Sequence, residues 1–391
     1  MTLTENSPQC IDSVQADASK KYFTLLPREY YISEDIFIQE KQNFLLQHWH
    51  FATHVSDIPK AGDYVVVELL GESVIVMRGR DGRISAVNNV CRHRGHSICV
   101  EPKGNKRRLT CPYHAWTYDL EGKLIAAPSL DDGTHIDYSD WGLKKVYVEV
   151  WRGCVFIALR EPMEKSLSAR LDAVAPQMLP LELENVRKVA ESTHVMNANW
   201  KVLVENYHEC YHCAGNHPEL NGAMDLDGMY EETNNPDRLT QFYGGGAPVR
   251  PGMVSLTMDG QPGSRPLLGE YGRGRPTPEA FNAGFAIWPM LTKGIFSPDH
   301  GTIQTARPLR HDRVEWTTRW YVHKDAAKGD YDVDKLMAVW DATNRQDMDL
   351  VLGTYAGVCS EAFEPGPLSV AREPALLAFI DLYKKLMGID L

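Results

Sequence analysis

The chain has 391 residues, 43% hydrophobic and 24% charged, with a formal net charge of −11, enough length for two domains or one large elaborated one. That charge argues against nucleic acid or an anionic membrane as the main partner, although KGNKRR at 103–108 is a local basic patch. No apolar run reaches the roughly 18 residues of a membrane helix, and MTLTENSPQCIDS lacks the basic and apolar regions of a leader, so a cytoplasmic protein is expected.

A polar arm of roughly 20 residues comes first, with order beginning near FTLLPREYY. In SEDIFIQEKQNFLLQHW, Ser33 is the expected N-cap. Glu34 and Asp35 stand in the first turn, where the helix dipole favours acids, ahead of Phe37, Ile38, Phe44 and Leu45 at helical spacing. Residues 60–160 change to short β-rich runs, DYVVVELL, SVIVMRG, ISAVNNV, RRLTC, KVYVEV and CVFIAL, divided by turn signals such as GRDGR and LEGK. They predict a compact antiparallel β domain. A helical patch at 162–183 precedes NANWKVLVENYHECYHCAG, whose apolar spacing predicts one helix ending near Gly215 to Pro218. Residues 216–280 are irregular and rich in Gly and Pro, long enough for a lid or wall. Strand-like runs return at FAIWPMLTKGIFS, GTIQTARPL and RVEWTTRWYVHKD, and helices are expected near 332–357 and 374–387. Strands followed by helices indicate α+β organisation.

Eight cysteines spread over this length suggest metal ligands and buried thiols rather than disulfides. Cys91-x-His93 and Cys111-x2-His114, 17 residues apart, lie in loops between predicted strands. Two thiolates and two imidazoles suit tetrahedral zinc, or a [2Fe-2S] cluster with cysteines on one iron and histidines on the other. The stretch HECYHCAGNH at 208–217 superimposes Cys210-x2-Cys213 on His212-x4-His217. The cysteines suggest zinc or redox chemistry, and the histidines an iron left open for reaction.

CRHRGH and CPYHAWTYDLEGKL resemble the two cluster loops of Rieske oxygenases, and NWKVLVENYHECYHCAGNHPEL is similar to the iron-binding segment of their α subunits. The resemblance implies an α+β chain in three parts: an arm and helix at 1–44, an antiparallel β Rieske [2Fe-2S] domain at 45–160, and a catalytic domain at 161–391. The catalytic part would have a central antiparallel sheet flanked by helices (helix-grip, START-like). Cys91, His93, Cys111 and His114 are the implied cluster ligands. His212, His217 and Asp347 are the implied ligands of a mononuclear Fe(II), with Asp349 the other acid to weigh. Asn206 and Glu209 are the implied catalytic residues beside it. Cys210 and Cys213 are then bystander thiols, His208 a polar neighbour and Cys99 a small buried residue. Where Rieske proteins of the cytochrome bc type carry disulfide cysteines, this chain has His96 and Tyr113, which points to the lower-potential ferredoxin and oxygenase type.

Glu209 stands three residues before His212, on one face of the predicted helix. A carboxylate there in the family joins the iron's histidine to a Rieske histidine of a neighbouring subunit. The resemblance therefore implies a head-to-tail ring, a homotrimer, with electrons crossing from His93 or His114. Glu in place of the commoner Asp resembles the subgroup acting on carnitine, glycine betaine and stachydrine. A quaternary ammonium substrate, O2 as co-substrate and oxidation beside nitrogen follow, with loss of formaldehyde when an N-methyl group is hydroxylated. An aromatic acid or ether, oxidised by one or two oxygen atoms, is the alternative. An electron-transfer protein with no second metal, or a zinc module, are the other classes. No Gly-rich nucleotide fingerprint follows a clear strand, so NAD(P)H electrons must arrive through a separate flavin/iron-sulfur reductase. Aromatic faces suit a cation that cannot donate hydrogen bonds; the candidates are Tyr207, Tyr211, Tyr230, Phe242, Tyr243, Trp288 and Phe296, with Arg238 or Lys293 for a carboxylate.

Overall fold

The computed structural model describes residues 23–130, 136–226, 242–245, 248–289 and 291–390. The N-terminal arm, Tyr230 and Arg238 lie outside the described residues.

The helix Glu34–Asn43 forms where its cap predicts, with the Ile36 N–H donating to Ser33 Oγ at 3.3 Å. It also buries Glu40 completely, which the sequence pattern did not announce. The Glu40 carboxylate accepts from Lys201 Nζ, from Trp200 Nε1 at 2.7 Å and from Tyr383 OH at 2.6 Å. A buried acid is tolerable only with this degree of pairing. Burial pulls the Lys201 ammonium below its usual range, and Glu40 opposes that pull. The network thereby joins the first helix, the helix Trp200–Tyr207 and the C-terminal helix Pro374–Met387.

Between these ends, the β-rich runs form three small antiparallel sheets. One orders Ile84–Asn88, Glu72–Arg78, Asp63–Leu69 and Lys103–Asn105. The second pairs Leu109–Thr110, Thr117–Tyr118 and Leu124–Ala126, and the third pairs Tyr147–Trp151, Cys154–Ala158 and His50–His54. Their cysteine-bearing loops project from a core that includes Ile75, Leu109, Trp116 and Tyr118.

The second half is a six-stranded antiparallel sheet in the order Val186–Met196, Arg313–His323, His300–Arg310, Thr292–Phe296, Ala283–Ile287 and Phe242–Gly245. Across it runs the 26-residue helix Val333–Val358, capped by Asp332 Oδ1 on the Lys335 N–H at 3.2 Å. This is the helix-grip arrangement the resemblance implied. Trp316 of the sheet stacks on Tyr207 with centroids 4.4 Å apart and donates from Nε1 to Asn344 Oδ1 of the long helix at 3.3 Å.

The expected single helix over 200–215 is interrupted. It runs from Trp200 to Tyr207, gives way to a turn over 208–212, and resumes as the short helices Cys213–Asn216 and Pro218–Ala223. Glu209 causes the break: its carboxylate accepts from the backbone N–H groups of Tyr211 and His212, competing with the helical ladder as capping residues do. Glu209 and His212 therefore meet across a turn and not on a helix face.

Glu205, one turn earlier, is buried and accepts from Tyr31 OH at 2.9 Å. Burial pushes its carboxyl up to about 8 from an ordinary 4.5, with Tyr31 and Lys201 pulling back. The folded state thus holds this proton more tightly than the unfolded chain does. Its contribution to stability is full below about pH 4.5 and is lost as pH rises through about 8. Glu205→Gln keeps the acceptor for Tyr31 without the charge. We expect it to melt with the parent near pH 4.5 and progressively above it toward pH 8; a gap that does not grow with pH in thermal melts would contradict the burial effect.

Candidate metal centres and the adjoining cavity

The two cysteine loops of the β half are copies of one turn. The Cys91 N–H donates to His96 O at 2.9 Å and the Gly95 N–H to Cys91 O at 2.9 Å; the Cys111 N–H donates to Trp116 O at 2.8 Å and the Ala115 N–H to Cys111 O at 3.1 Å. Gly95 and Ala115 hold equivalent places with φ of 77° and 58°, a conformation that glycine adopts freely and alanine reaches at a cost. Each turn sinks its cysteine and lifts its histidine. Cys91 and Cys111 are 3% and 2% exposed, while His93 is exposed and His114 half-buried. The imidazole centroids lie 4.6 Å apart, and His93 stacks on Trp116 at 5.0 Å. Tyr118 OH lies 3.3 Å from Cys91 Sγ and accepts from the Arg92 N–H at 3.1 Å. His96 and Tyr113 face each other with centroids 5.9 Å apart. A ring contact thus joins the loops where a disulfide would otherwise sit.

In the second half, residues far apart in sequence converge on one oxygen. His217 Nε2 lies 3.0 Å and His212 Nε2 3.3 Å from Asp347 Oδ1, and the two Nε2 atoms are 3.1 Å apart. Transition-metal bonds to imidazole of about 2.0–2.1 Å place neighbouring donors roughly 3 Å apart, so this donor set fits one ion with positions left open on the cavity side. Each imidazole is held by its other nitrogen, the arrangement that orients metal-binding histidines. His212 Nδ1 meets Glu209 Oε1 at 2.6 Å; His217 Nδ1 meets Gln346 Oε1 at 2.9 Å, and Gln346 Nε2 donates to Glu219 Oε2 at 2.7 Å. Asn206 Nδ2 donates to Asp347 Oδ1 at 2.8 Å. Burial opposes ionisation of Asp347, but hydrogen bonds from His212, His217 and Asn206 outweigh it and hold the carboxyl well below the usual range. Burial likewise opposes a charged His212, yet Asp347 and Glu209 lift it to about 9. The cluster is a site for positive charge.

Asp349 is exposed on the far side of its helix and is not part of this cluster. Gln346 and Glu219 escaped the sequence reading, because neither has a spacing signal of its own. The Cys-x-x-Cys pair is corrected too: Cys210 and Cys213 form a disulfide, their Cα atoms 4.9 Å apart across the turn that replaces the expected helix. Cys213 Sγ lies 3.9 Å from His212 Nε2, and a sulfur already bonded to sulfur is no thiolate ligand. Cys99 is buried as expected, and His208 binds the Val204 carbonyl through Nδ1 at 2.7 Å.

A largely apolar cavity opens beside the Asp347 cluster, and Tyr207, Tyr243, Lys293 and Trp340 line it. Of the aromatic candidates, Tyr207 and Tyr243 reach it. Tyr211 is 62% exposed. Phe242 and Phe296 project to the opposite face of the sheet, into the core with Trp151 and Phe285, and Trp288 packs on Phe44 and Phe379. Strand parity explains Phe242 and Phe296, because adjacent residues take opposite faces.

Residues 183–389 match the family described as ring hydroxylating alpha subunit (catalytic domain), and residues 48–146 match the Rieske [2Fe-2S] domain. The chain belongs to the Rieske ring-hydroxylating oxygenases and is an oxidoreductase of the terminal oxygenase kind. Its relatives include the glycine betaine monooxygenase oxygenase subunit of Chromohalobacter salexigens, 35% identical over 93% of this chain and 85% of that protein. The carnitine monooxygenase oxygenase subunit of Escherichia coli is 35% identical over 52% of this chain and 54% of that protein. Among solved structures, a quaternary ammonium Rieske monooxygenase of carnitine oxidation by gut microbiota superimposes with a TM-score of 0.75 at 22% identity, covering 94% of this chain and 96% of that one. Naphthalene 1,2-dioxygenase from Rhodococcus shares the fold with a TM-score of 0.71 at 21% identity, covering 93% and 94%. Membership brings a Rieske [2Fe-2S] cluster and a mononuclear iron, and the two donor sets fit them: buried sulfurs beside outer imidazoles for the cluster, nitrogen and oxygen donors for the iron.

Replacing Cys210 and Cys213 together by Ser should leave iron and acid-labile sulfide unchanged and lower thermal stability. Alkylation of the denatured parent without reductant should block two fewer thiols than after reduction; equal counts would mean that the pair is not joined.

Proposed function

We propose that this terminal oxygenase hydroxylates a small quaternary ammonium compound of the betaine type beside its nitrogen, at an iron held by His212, His217 and Asp347. Residues 45–160 serve as the electron-storing part and 161–391 as the catalytic part, working as a homotrimer in the cytoplasm with a reductase fed by NAD(P)H. The observation that carries the reading is the Glu209 carboxylate on His212 Nδ1, 2.6 Å away. In the sequence this Glu replaces the family's commoner Asp, and the relatives named for glycine betaine and carnitine support the same substrate class.

The bound iron supplies O2 activation, and the cluster supplies electrons singly. The chain's own residues do the rest. Glu209 accepts the Nδ1 proton of His212 and Gln346 that of His217, which leaves both Nε2 lone pairs facing Asp347. Asn206 fixes the rotation of the Asp347 carboxylate. Apolar walls keep bulk water from the reacting bond. Glu209 is also the junction to the neighbouring subunit's cluster, through His93 or His114 there. Hydroxylation of an N-methyl group consumes O2, two electrons and two protons and yields water and a carbinolamine. The carbinolamine then releases formaldehyde, a proton and the tertiary amine.

Single turnover of reduced, iron-loaded protein with O2 and a panel of betaines and aromatic acids tests the substrate class. Formaldehyde plus a demethylated amine from one betaine is expected; oxidation of aromatic compounds alone would sink the quaternary ammonium reading. His212→Ala should lose the mononuclear iron and turnover while keeping the Rieske visible spectrum, and an active iron-replete variant would remove His212 from the ligand set. Glu209→Ala should retain both metals and slow cluster reoxidation by about 10–100-fold, the usual effect of losing a partner that orients a metal-bound histidine. Unchanged single-turnover kinetics would end the bridging role.

A further inference from the structure

Lys293 is the unresolved charge of the cavity. Its Nζ lies over Tyr207 at 3.7 Å from the ring centroid, with Trp340 at 5.3 Å and Trp316 at 5.6 Å. Among the described residues, no carboxylate comes within ion-pair distance of it. Arg372, also on the cavity wall, has a partner of its own. Lys293 is half-buried, its open side on the cavity; aromatic faces offset part of the cost of taking an ammonium out of bulk water, but a charge without a counter-ion there stays expensive. Burial draws the Lys293 ammonium down to about 7, with the more distant Asp347 opposing.

The sheet behind Lys293 also holds polar groups without partners. Lys293 pairs across the sheet with Gln304, Ile295 with Thr302, and Thr302 with Trp320. Directly opposed residues, and residues two apart on a strand, share a face. Lys293, Gln304, Thr302 and Trp320 therefore belong to the face that the long helix and the cavity cover. Gln304 Nε2 and Oε1, Thr302 Oγ1 and Trp320 Nε1 are buried without a hydrogen-bond partner, and the three residues are 0%, 1% and 0% exposed. Buried polar groups are rarely left unpaired. Lys293 reaches the cavity wall, while Gln304, Thr302 and Trp320 lie behind it on the same face, buried under the long helix.

We propose that Lys293, backed by Gln304, Thr302 and Trp320, is the subsite for the substrate's carboxylate. This rests on the proposed substrate class and narrows it: the protein selects zwitterions that bring an anion to Lys293 and rejects quaternary ammonium compounds without one. A bare cation would meet the ammonium already seated on the aromatic faces. A carboxylate supplies that ammonium's missing counter-charge.

Calorimetric titration of the iron-loaded full-length protein tests this with two matched pairs, glycine betaine against choline and benzoate against benzyl alcohol, in the parent and in Lys293→Met. The Rieske spectrum and melting temperature control for folding. The parent should prefer glycine betaine to choline by about 30-fold or more, and Lys293→Met should lose that preference, the low end for truncating one partner of a buried charge pair. Betaine binding that is equal in parent and variant overturns the subsite and leaves the quaternary ammonium reading standing. Binding of benzoate alone, lost in Lys293→Met, upholds the subsite and ends the quaternary ammonium reading. A parent that binds choline as tightly as glycine betaine, or none of the four probes, overturns the subsite. The parent comparison decides the matter even where the variant fails to fold.

Discussion

Everything in the second half of this protein is arranged so that one carboxylate oxygen, Asp347 Oδ1, can stay ionised at 3% exposure. A buried anion without partners would take up a proton or unfold its surroundings. Here two imidazoles and the Asn206 amide share it. Those partners come from a segment some 130 residues earlier, so the charge itself ties the long helix to the turn after Trp200–Tyr207. Gln346 and Glu219 extend the same tie outward on the His217 side, and Glu209 does so on the His212 side. A proton held in such a cluster is what an incoming cation displaces, so the geometry that stabilises the fold is also the geometry that binds metal.

The rest of the molecule brings rigid pieces to that point. The Glu40 network fixes the back of the Trp200–Tyr207 helix against both chain ends. Trp316 and Tyr207 fix its front against the sheet. With both sides held, the turn at 208–212 is positioned by its own Glu209 contacts and by the disulfide rather than by helical continuity.

How much of this was legible in the sequence depended on the range of the signal. Strand runs, the Ser33 cap and the helices near 333–358 and 374–387 are local, and they appear where propensity and capping put them. Spacing marked the Cys-x-His and Cys-x2-His pairs and His212-x4-His217 as metal-donor candidates, but it left the metal open, and Asp347, far downstream, came only through the resemblance. The helix end was not, since apolar spacing continues past Tyr207 and only the Glu209 side chain, folding back on Tyr211 and His212, stops the ladder. The disulfide follows from that turn and was hidden with it. The aromatic wall failed at strand parity: Phe242 and Tyr243 are equally plausible by composition, and a register known only from the folded sheet sends one to the core and the other to the cavity. Lys293 stood in the sequence only as one of two cations for a carboxylate, and its surroundings were hidden because they are cross-strand neighbours from other segments.

The twin turns at Cys91 and Cys111 repeat the same backbone hydrogen bonds, yet their histidines follow the cysteine by two residues in one loop and three in the other, and one is exposed while the other is half-buried. Their ring neighbours differ as well, Trp116 against His93 and Tyr113 against His114. A partner docked against one imidazole therefore meets a different surface from a partner docked against the other.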